Sequence, residues 1–342
     1  MFNLISIPWT SFLPPLVLTI IISWLLIAVV RFLAIKFKLY GHWAAHQDHR
    51  PIARWGGVAI WLTFILSFIY FIDLTPPRIG LLIGLSLMFA MGLVDDSYNL
   101  SAYLKLFWQL AAVIVAVSFG IHIGQITNPL GGIIILPIAW DYILSVLWLL
   151  IVVNALNMLD GLDGLAAGTV SIFSVILFIL SLFVIVNQPS TAMMAILLLG
   201  TMIGFLLWNW HPAKIFMGDA GSNMLGFIVG TLAIISGAKL ATVALVLGFP
   251  LLDLAWATWR RLKQGHSPFV ADREHLHHRL LDARVSHRNV VFIILMVSAV
   301  FGVVSLLSGT WAKLIALVGV AILMIILIRT VFFMQSRKIV DK

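Results

Sequence analysis

Runs of about eighteen or more residues without a single charge recur along this chain, and that is the length an α-helix needs to cross the hydrocarbon core of a bilayer. In that solvent the backbone must satisfy its own hydrogen bonds, so a chain made of such runs is confined to bundled helices. Composition agrees: of 342 residues, 62% are hydrophobic and 10% charged, far from the profile of a soluble globular domain. The chain therefore reads as an all-α, polytopic membrane protein. Cysteine is absent, which excludes a disulfide framework, a thiolate zinc site and a thiol nucleophile. The first run is too long for a signal h-region and no basic segment precedes it, so no cleavable signal is expected.

Eleven spanning segments are predicted, at about 13–35, 56–72, 79–94, 103–119, 141–158, 169–187, 191–208, 222–237, 240–259, 290–307 and 311–333. The eighth and ninth are parted only by Gly237-Ala238-Lys239. No repeat, low-complexity tract or separate soluble domain interrupts them, so residues 1–342 read as one integral-membrane domain. The longest polar segment, 260–289, reads as a structured loop within it. With the N-terminus outside, 18 of the 21 Lys and Arg residues fall on the inner side, leaving Arg78, Lys239 and Lys313 outside. That asymmetry predicts an external N-terminus and a cytoplasmic C-terminus. The net charge of +8 is then concentrated on the cytoplasmic face, where it can attract anionic lipid or an anionic substrate.

The same arrangement gathers the chemistry. Asp95-Asp96 ends the third segment, and Asn154-Ala155-Leu156-Asn157-Met158-Leu159-Asp160-Gly161-Leu162-Asp163-Gly164 ends the fifth. Phe216-Met217-Gly218-Asp219-Ala220-Gly221-Ser222 opens the eighth, and His275-Leu276-His277-His278-Arg279 lies in the long inner loop. All four stretches fall on one side. Asp160 and Asp163, three apart, share a face of a helix or tight turn, and carboxylates at a membrane boundary are costly unless paired, hydrated or metal-bound. Asp95 and Asp96 diverge by about 100° on a helix, so one can face a metal or substrate while the other pairs with a nearby Lys or Arg. Asp219 could cap the helix it opens or ligate a metal, and the N–H groups there suit a phosphate. Scattered aspartates fit Mg²⁺, which binds through few carboxylates plus phosphate oxygens and water. The histidine cluster lacks a zinc-site spacing, and anion recognition with Arg279 as a bidentate partner is preferred. His42, His46 and His49 read as ordinary loop residues.

Taken in order, Asp95-Asp96, the Asn-x-x-Asn-x-x-Asp-Gly-x-Asp-Gly-Leu stretch from Asn154, Phe216-Met-Gly-Asp-x-Gly-Ser and His275-x-His-His-Arg-Leu resemble the polyprenyl-phosphate N-acetylhexosamine-1-phosphate transferase superfamily, over roughly residues 40–290. The form of the histidine cluster resembles the branch that uses UDP-N-acetylglucosamine or related sugars to start O-antigen, common-antigen or teichoic-acid synthesis. The resemblance implies a Mg²⁺-dependent phosphoglycosyl transferase, with Mn²⁺ as an alternative ion, acting at the cytoplasmic face of a bacterial inner membrane on undecaprenyl phosphate and a UDP-N-acetylhexosamine. It implies no nucleic-acid partner and is compatible with a homodimer. By matching position it implies that Asp95 and Asp96 handle the lipid phosphate and nucleophile. Asn154, Asn157, Asp160 and Asp163 would serve the nucleotide sugar and metal, and Asp219 the metal. His275, His277, His278 and Arg279 would serve sugar-phosphate recognition; apart from the resemblance, Lys105 and Gly218, beside these motifs, are expected to bind substrate. The first inner loop departs from the family: His46-Gln47-Asp48-His49-Arg50-Pro51 lacks its Arg-Lys-x-His pattern.

Other classes fit less well. A secondary transporter places its acids near the midplane on broken helices, whereas here nearly all lie at one edge. An intramembrane aspartyl protease requires Gly-x-Gly-Asp, and position 216 is Phe.

Overall fold

The computed structural model describes residues 8–41, 52–128, 130–183, 186–237, 239–265, 275–307 and 309–340, with the side chains at 277, 278 and 331–340 outside the description. His42, His46 and His49 of the first inner loop therefore lie outside the described residues.

The chain is a helical bundle. A single 3-10 turn (Trp9–Phe12) leads into α1 (Leu13–Lys36), followed by α2 (Gly56–Phe71), α3 (Pro76–Tyr98), α4 (Ala102–Ser118), α5 (Ile138–Leu159), α6 (Leu165–Ser181), α7 (Pro189–Asn209) and α8 (Gly218–Ile235). Then come α9 (Leu240–Val246), α10 (Gly248–Lys263), α11 (Leu276–Asp282), α12 (His287–Leu307) and α13 (Thr310–Val340). Two short antiparallel ribbons are the only sheets among the described residues: β1 (Tyr40–Gly41) with β2 (Ile52–Ala53), and β3 (Gln125–Thr127) with β4 (Ile133–Ile135).

Among the described residues, seven helices are long and apolar enough to span a membrane, eight if the bent pair α9–α10 counts as one. The protein is thus a multi-pass membrane protein. Three of the eleven expected segments, α2, α4 and α6, are apolar but only 16–17 residues long, about 25 Å at 1.5 Å per residue. Local signals fix the turn between α3 and α4. At α4, Ser101 accepts the Leu104 N–H through its hydroxyl as an N-cap; at the end of α3, Asn99 turns left-handed at φ 50°. The ninth segment, expected as one span over 240–259, bends by 82° between α9 and α10. Pro250 falls in the first turn of α10, where its missing N–H is tolerated but a continuous helix through it is not.

Helix α8 is the axis of the bundle, buried without a break from Ala220 to Ile234. Helices α3 and α5 pack along it, and α2 touches its start. The approach is close: a Cβ at Gly92 would stand 2.3 Å from the Ala220 Cα, and one at Gly226 would stand 2.5 Å from the Val153 Cα. Where lipid offers no hydrophobic drive between helices, small residues allow the backbones to meet. These contacts bring the ends of α3 and α5 beside the beginning of α8.

Candidate active site

The site is built on three helix ends. Asp95 and Asp96 lie on the last turn of α3, Asp160 caps α5, and Asp219 lies on the first turn of α8. The two adjacent aspartates diverge. Asp95 pairs with Lys105 of α4, and its Oδ1 accepts the Leu100 N–H at 2.8 Å. Asp96 accepts the N–H groups of Asp219 (2.9 Å) and Ala220 (3.2 Å). The helix start is therefore capped from another helix: the carboxylate of Asp96, not an incoming phosphate, takes the N–H groups that the sequence offered to one. Asp219 is then not the cap of its own helix. The junction needs glycine at 218, whose φ is +71° and whose Cβ would lie 2.5 Å from Asp96 Oδ2.

Freed from capping, Asp219 Oδ1 accepts from Asn157 Nδ2 at 2.7 Å, and its Oδ2 stands 3.6 Å from Lys105 Nζ. Asn157 also donates to Ser222 Oγ at 2.8 Å. Asn154 does not point into this group. Its amide donates to Gln109 Oε1 (3.0 Å), Gln109 donates to Asn223 Oδ1 (2.8 Å), and Asn223 donates to the Asp219 carbonyl (2.8 Å). That buried relay locks α4, α5 and α8 in register behind the carboxylates.

Asp163 has partners of its own. Its Oδ2 meets His211 Nδ1 at 2.8 Å and accepts the Ala213 N–H at 3.0 Å. His211 in turn stacks on His287, with ring centroids 4.2 Å apart. One ligand atom from each of Asp163, His211 and His287 lies within 4.8 Å of the others, a nitrogen-oxygen set that suits a transition metal better than Mg²⁺. The rings are within 18° of parallel, so their in-plane lone pairs run side by side rather than converge on one ion.

An open cavity of about 130 Å³ lies between these groups, lined by Arg54, Asp96, Asn157, Asp160, Leu162, Asp163, Asn209, Phe216, Gly218 and Asp219. Burial pushes the Asp160 carboxyl well above the ordinary carboxylate range, and the negative charges of Asp219, Asp96 and Asp163 push it further. Such a group is relieved by a proton or by a cation.

Several lining residues were not singled out from sequence. Arg54 donates to the Asp96 carbonyl at 3.0 Å. It is placed by a backbone strap in which Phe216 donates to Ala53 (2.9 Å) and Gly56 to Phe216 (2.9 Å). Asn209 accepts the Gly164 N–H at 2.9 Å and donates to the Ile215 carbonyl at 2.9 Å, holding the turn after Asp163 against the strap. His211 carried one signal, an inner-side histidine between Trp210 and Pro212; Arg54 and Asn209 act on backbone groups, at Asp96 and at Gly164 and Ile215, and carried none. Of the histidine cluster, His275 and Arg279 are not among the described residues that line the cavity. His275 pairs with the buried Asp253 of α10 at 3.2 Å, and Asp253 also accepts the Leu276 N–H at 3.2 Å. Arg279 lies on α11 and is not among the lining residues. The side chains of His277 and His278 are outside the described residues.

A membrane-embedded bundle with carboxylates, amides and cations focused on an open cavity at one end defines a membrane enzyme that handles charged groups at the bilayer edge. Residues 78–237 match the family model described as glycosyl transferase family 4. The chain is 31% identical to a decaprenyl-phosphate N-acetylglucosaminephosphotransferase of Mycobacterium tuberculosis, over 80% of this chain and 76% of the relative. It is 30% identical to an undecaprenyl-phosphate alpha-N-acetylglucosaminyl 1-phosphate transferase of Thermotoga maritima, over 84% and 87%. A Bacillus subtilis protein named as a probable undecaprenyl-phosphate N-acetylglucosaminyl 1-phosphate transferase is 29% identical, over 80% and 78%. The chain belongs to this family of polyprenyl-phosphate N-acetylglucosamine-1-phosphate transferases.

Proposed function

We propose that this enzyme transfers N-acetylglucosamine-1-phosphate from UDP-N-acetylglucosamine to undecaprenyl phosphate, releasing UMP, as the first step of a cell-surface polysaccharide. The observation that carries the reading is the set of four carboxylates, Asp96, Asp160, Asp163 and Asp219, around one open cavity with Arg54 on its wall. Both substrates are polyanions, and such a set binds neither alone. It fits a hard divalent cation shared with phosphate oxygens, and the desolvated, repelled carboxyl of Asp160 is the group such an ion would stabilise. Asp160 and Asp219 are the residues to hold Mg²⁺. When bound, it supplies neutralisation of the donor diphosphate.

The chain's own residues do the rest. Lys105, held between Asp95 and Asp219, presents a fixed positive charge to an incoming phosphate. Asp95 holds Lys105, and Asp96 fixes the start of α8, so both are positioning residues in this reading. The acceptor, a phosphate monoester with a second pKa of ~6, is largely dianionic at neutral pH and needs no general base. Its attack on the sugar-proximal phosphorus breaks the phosphoanhydride to UMP and leaves the C1–O bond of the sugar intact. Arg279, with His277 and His278, recognises the sugar phosphate, while His275 anchors that segment to Asp253. We further propose that all eleven apolar segments cross a bacterial inner membrane and that the cavity opens to the cytoplasm, supported by the 18-to-3 division of Lys and Arg.

Purified enzyme supplied with undecaprenyl phosphate, Mg²⁺ and a panel of UDP-N-acetylhexosamines tests the reading. The expected products are UMP and a lipid-linked sugar of unchanged anomeric configuration, with UDP-N-acetylglucosamine preferred. Release of UDP, or an inverted anomeric centre, overturns it.

A further inference from the structure

At the end of the bundle opposite the cavity, two of the three basic residues assigned to that side meet, though 74 positions separate them in sequence. Lys239 leads into α9 and donates to Gln188 Oε1 at 2.9 Å. Lys313, on the first turn of α13, donates to Thr242 Oγ1 at 3.3 Å, and the Thr242 N–H in turn reaches the Lys239 carbonyl at 3.1 Å. Both side chains are half-buried. Burial and the charge of Lys313 bring the Lys239 ammonium down to about 8. Their protein partners among the described residues are neutral oxygens. Of the two described acids at this end, Asp141 holds His122 and the Gly124 N–H, and Asp73 lies in the connection between α2 and α3; neither forms an ion pair with Lys239 or Lys313, and the charge that acts on Lys239 is that of Lys313.

Two neighbouring ammonium groups that keep most of their protons available and face no carboxylate repel each other, and an anion between them removes that cost. The surroundings say which anion. From this point α13 presents Trp311, Ile315, Val318 and Ile322 to the exterior, each more than half exposed. An acyl chain can run along that face below a headgroup, with the tryptophan at interface depth. We propose that Lys239 and Lys313, with Gln188 and Thr242, form a binding site for the phosphate headgroup of an anionic phospholipid. Basic pockets between membrane helices recognise such headgroups in the same way. The site is remote from the cavity and independent of the chemistry proposed there.

The test is binding, read without turnover. Full-length protein in a neutral detergent is titrated with phosphatidylglycerol, with phosphatidylcholine of the same acyl chains, and with inorganic phosphate, following Tm and lipid adducts in native mass spectrometry. Phosphatidylglycerol is expected to raise Tm more than phosphatidylcholine. Each Lys→Gln change should weaken that preference about fivefold, and Lys239→Gln/Lys313→Gln together by roughly twenty-five-fold. The double variant should be no less stable than wild type without lipid, because a repulsion is removed; if it does not fold, the Lys313→Gln titration decides alone. An undiminished preference for phosphatidylglycerol in the variants overturns the site. A shift of equal size with inorganic phosphate overturns the lipid assignment in favour of a free anion.

Discussion

Asp160 is the residue on which the electrostatics of the cavity converge, and its behaviour with pH can be foretold. Its folded-state pKa is raised, first by burial and then by Asp219, Asp96 and Asp163. The metal-free fold therefore holds a proton that the unfolded chain gives up, and stability falls as pH rises from the ordinary carboxylate range through the folded value. Metal-free protein should lose Tm as pH rises above the ordinary carboxylate range, Asp160→Asn should flatten that slope, and Mg²⁺ at alkaline pH should restore Tm in wild type only. A flat wild-type profile would show that the carboxylate is not repelled. Activity follows different lines. Asp160→Asn and Asp219→Asn are expected to lower turnover by at least about a hundredfold, the scale on which single electrostatic contributors act, with Tm retained. At Gly218 the constraint is steric: Gly218→Ala must place a side chain at φ +71° and against Asp96, at a cost of ~1–3 kcal/mol measurable by chemical denaturation.

Among elements, the α3–α8 and α5–α8 contacts carry the geometry of the site. A methyl at Gly92 meets the Ala220 backbone, and one at Gly226 meets Val153. Either alanine should cost ~1–3 kcal/mol as overpacking. The two should differ in activity. Gly92 presses on the turn whose N–H groups Asp96 holds, so Gly92→Ala is expected to reduce turnover well beyond Gly226→Ala at a matched loss of Tm; equal losses would mean that the α3–α8 spacing does not set the site. The order of the apolar segments could be read from the chain because each is a long uncharged run. The bend at α9–α10 could not be read from hydropathy, since both halves are apolar, although Pro250 marked the place.

At the scale of the whole molecule, the absence of cysteine makes topology directly measurable. Ser97→Cys at the cavity end and Ser118→Cys at the other end of α4 should be labelled by an impermeant thiol reagent only after lysis and in intact cells, respectively; the reverse pattern would invert the proposed orientation. The reaction exchanges one phosphoanhydride for another, so its equilibrium constant should lie within an order of magnitude or two of unity, under about 3 kcal/mol. Labelled UMP and lipid-linked product should regenerate labelled UDP-sugar, and EDTA should stop both directions.

Hydrophobic length and charge are properties of local composition, and they determined by themselves that this chain is a membrane bundle. They also determined that Asp95, Asp96, Asp160, Asp163 and Asp219 sit at the ends of its segments, on one side. What only the tertiary structure decided is which group holds which. Asp95 goes to Lys105, Asp96 to the start of α8, Asp163 to His211, and His275 to Asp253 rather than to the cavity lining. Arg54 arrives through a backbone strap that no side-chain pattern encodes. The physical reason lies in the helices themselves. Nearly apolar on every face, they carry no strong stripe to fix their rotation. Rotation and depth are set instead by close contacts at small residues such as Gly92 and Gly226, and by buried amides such as Gln109, whose partners lie far away in sequence.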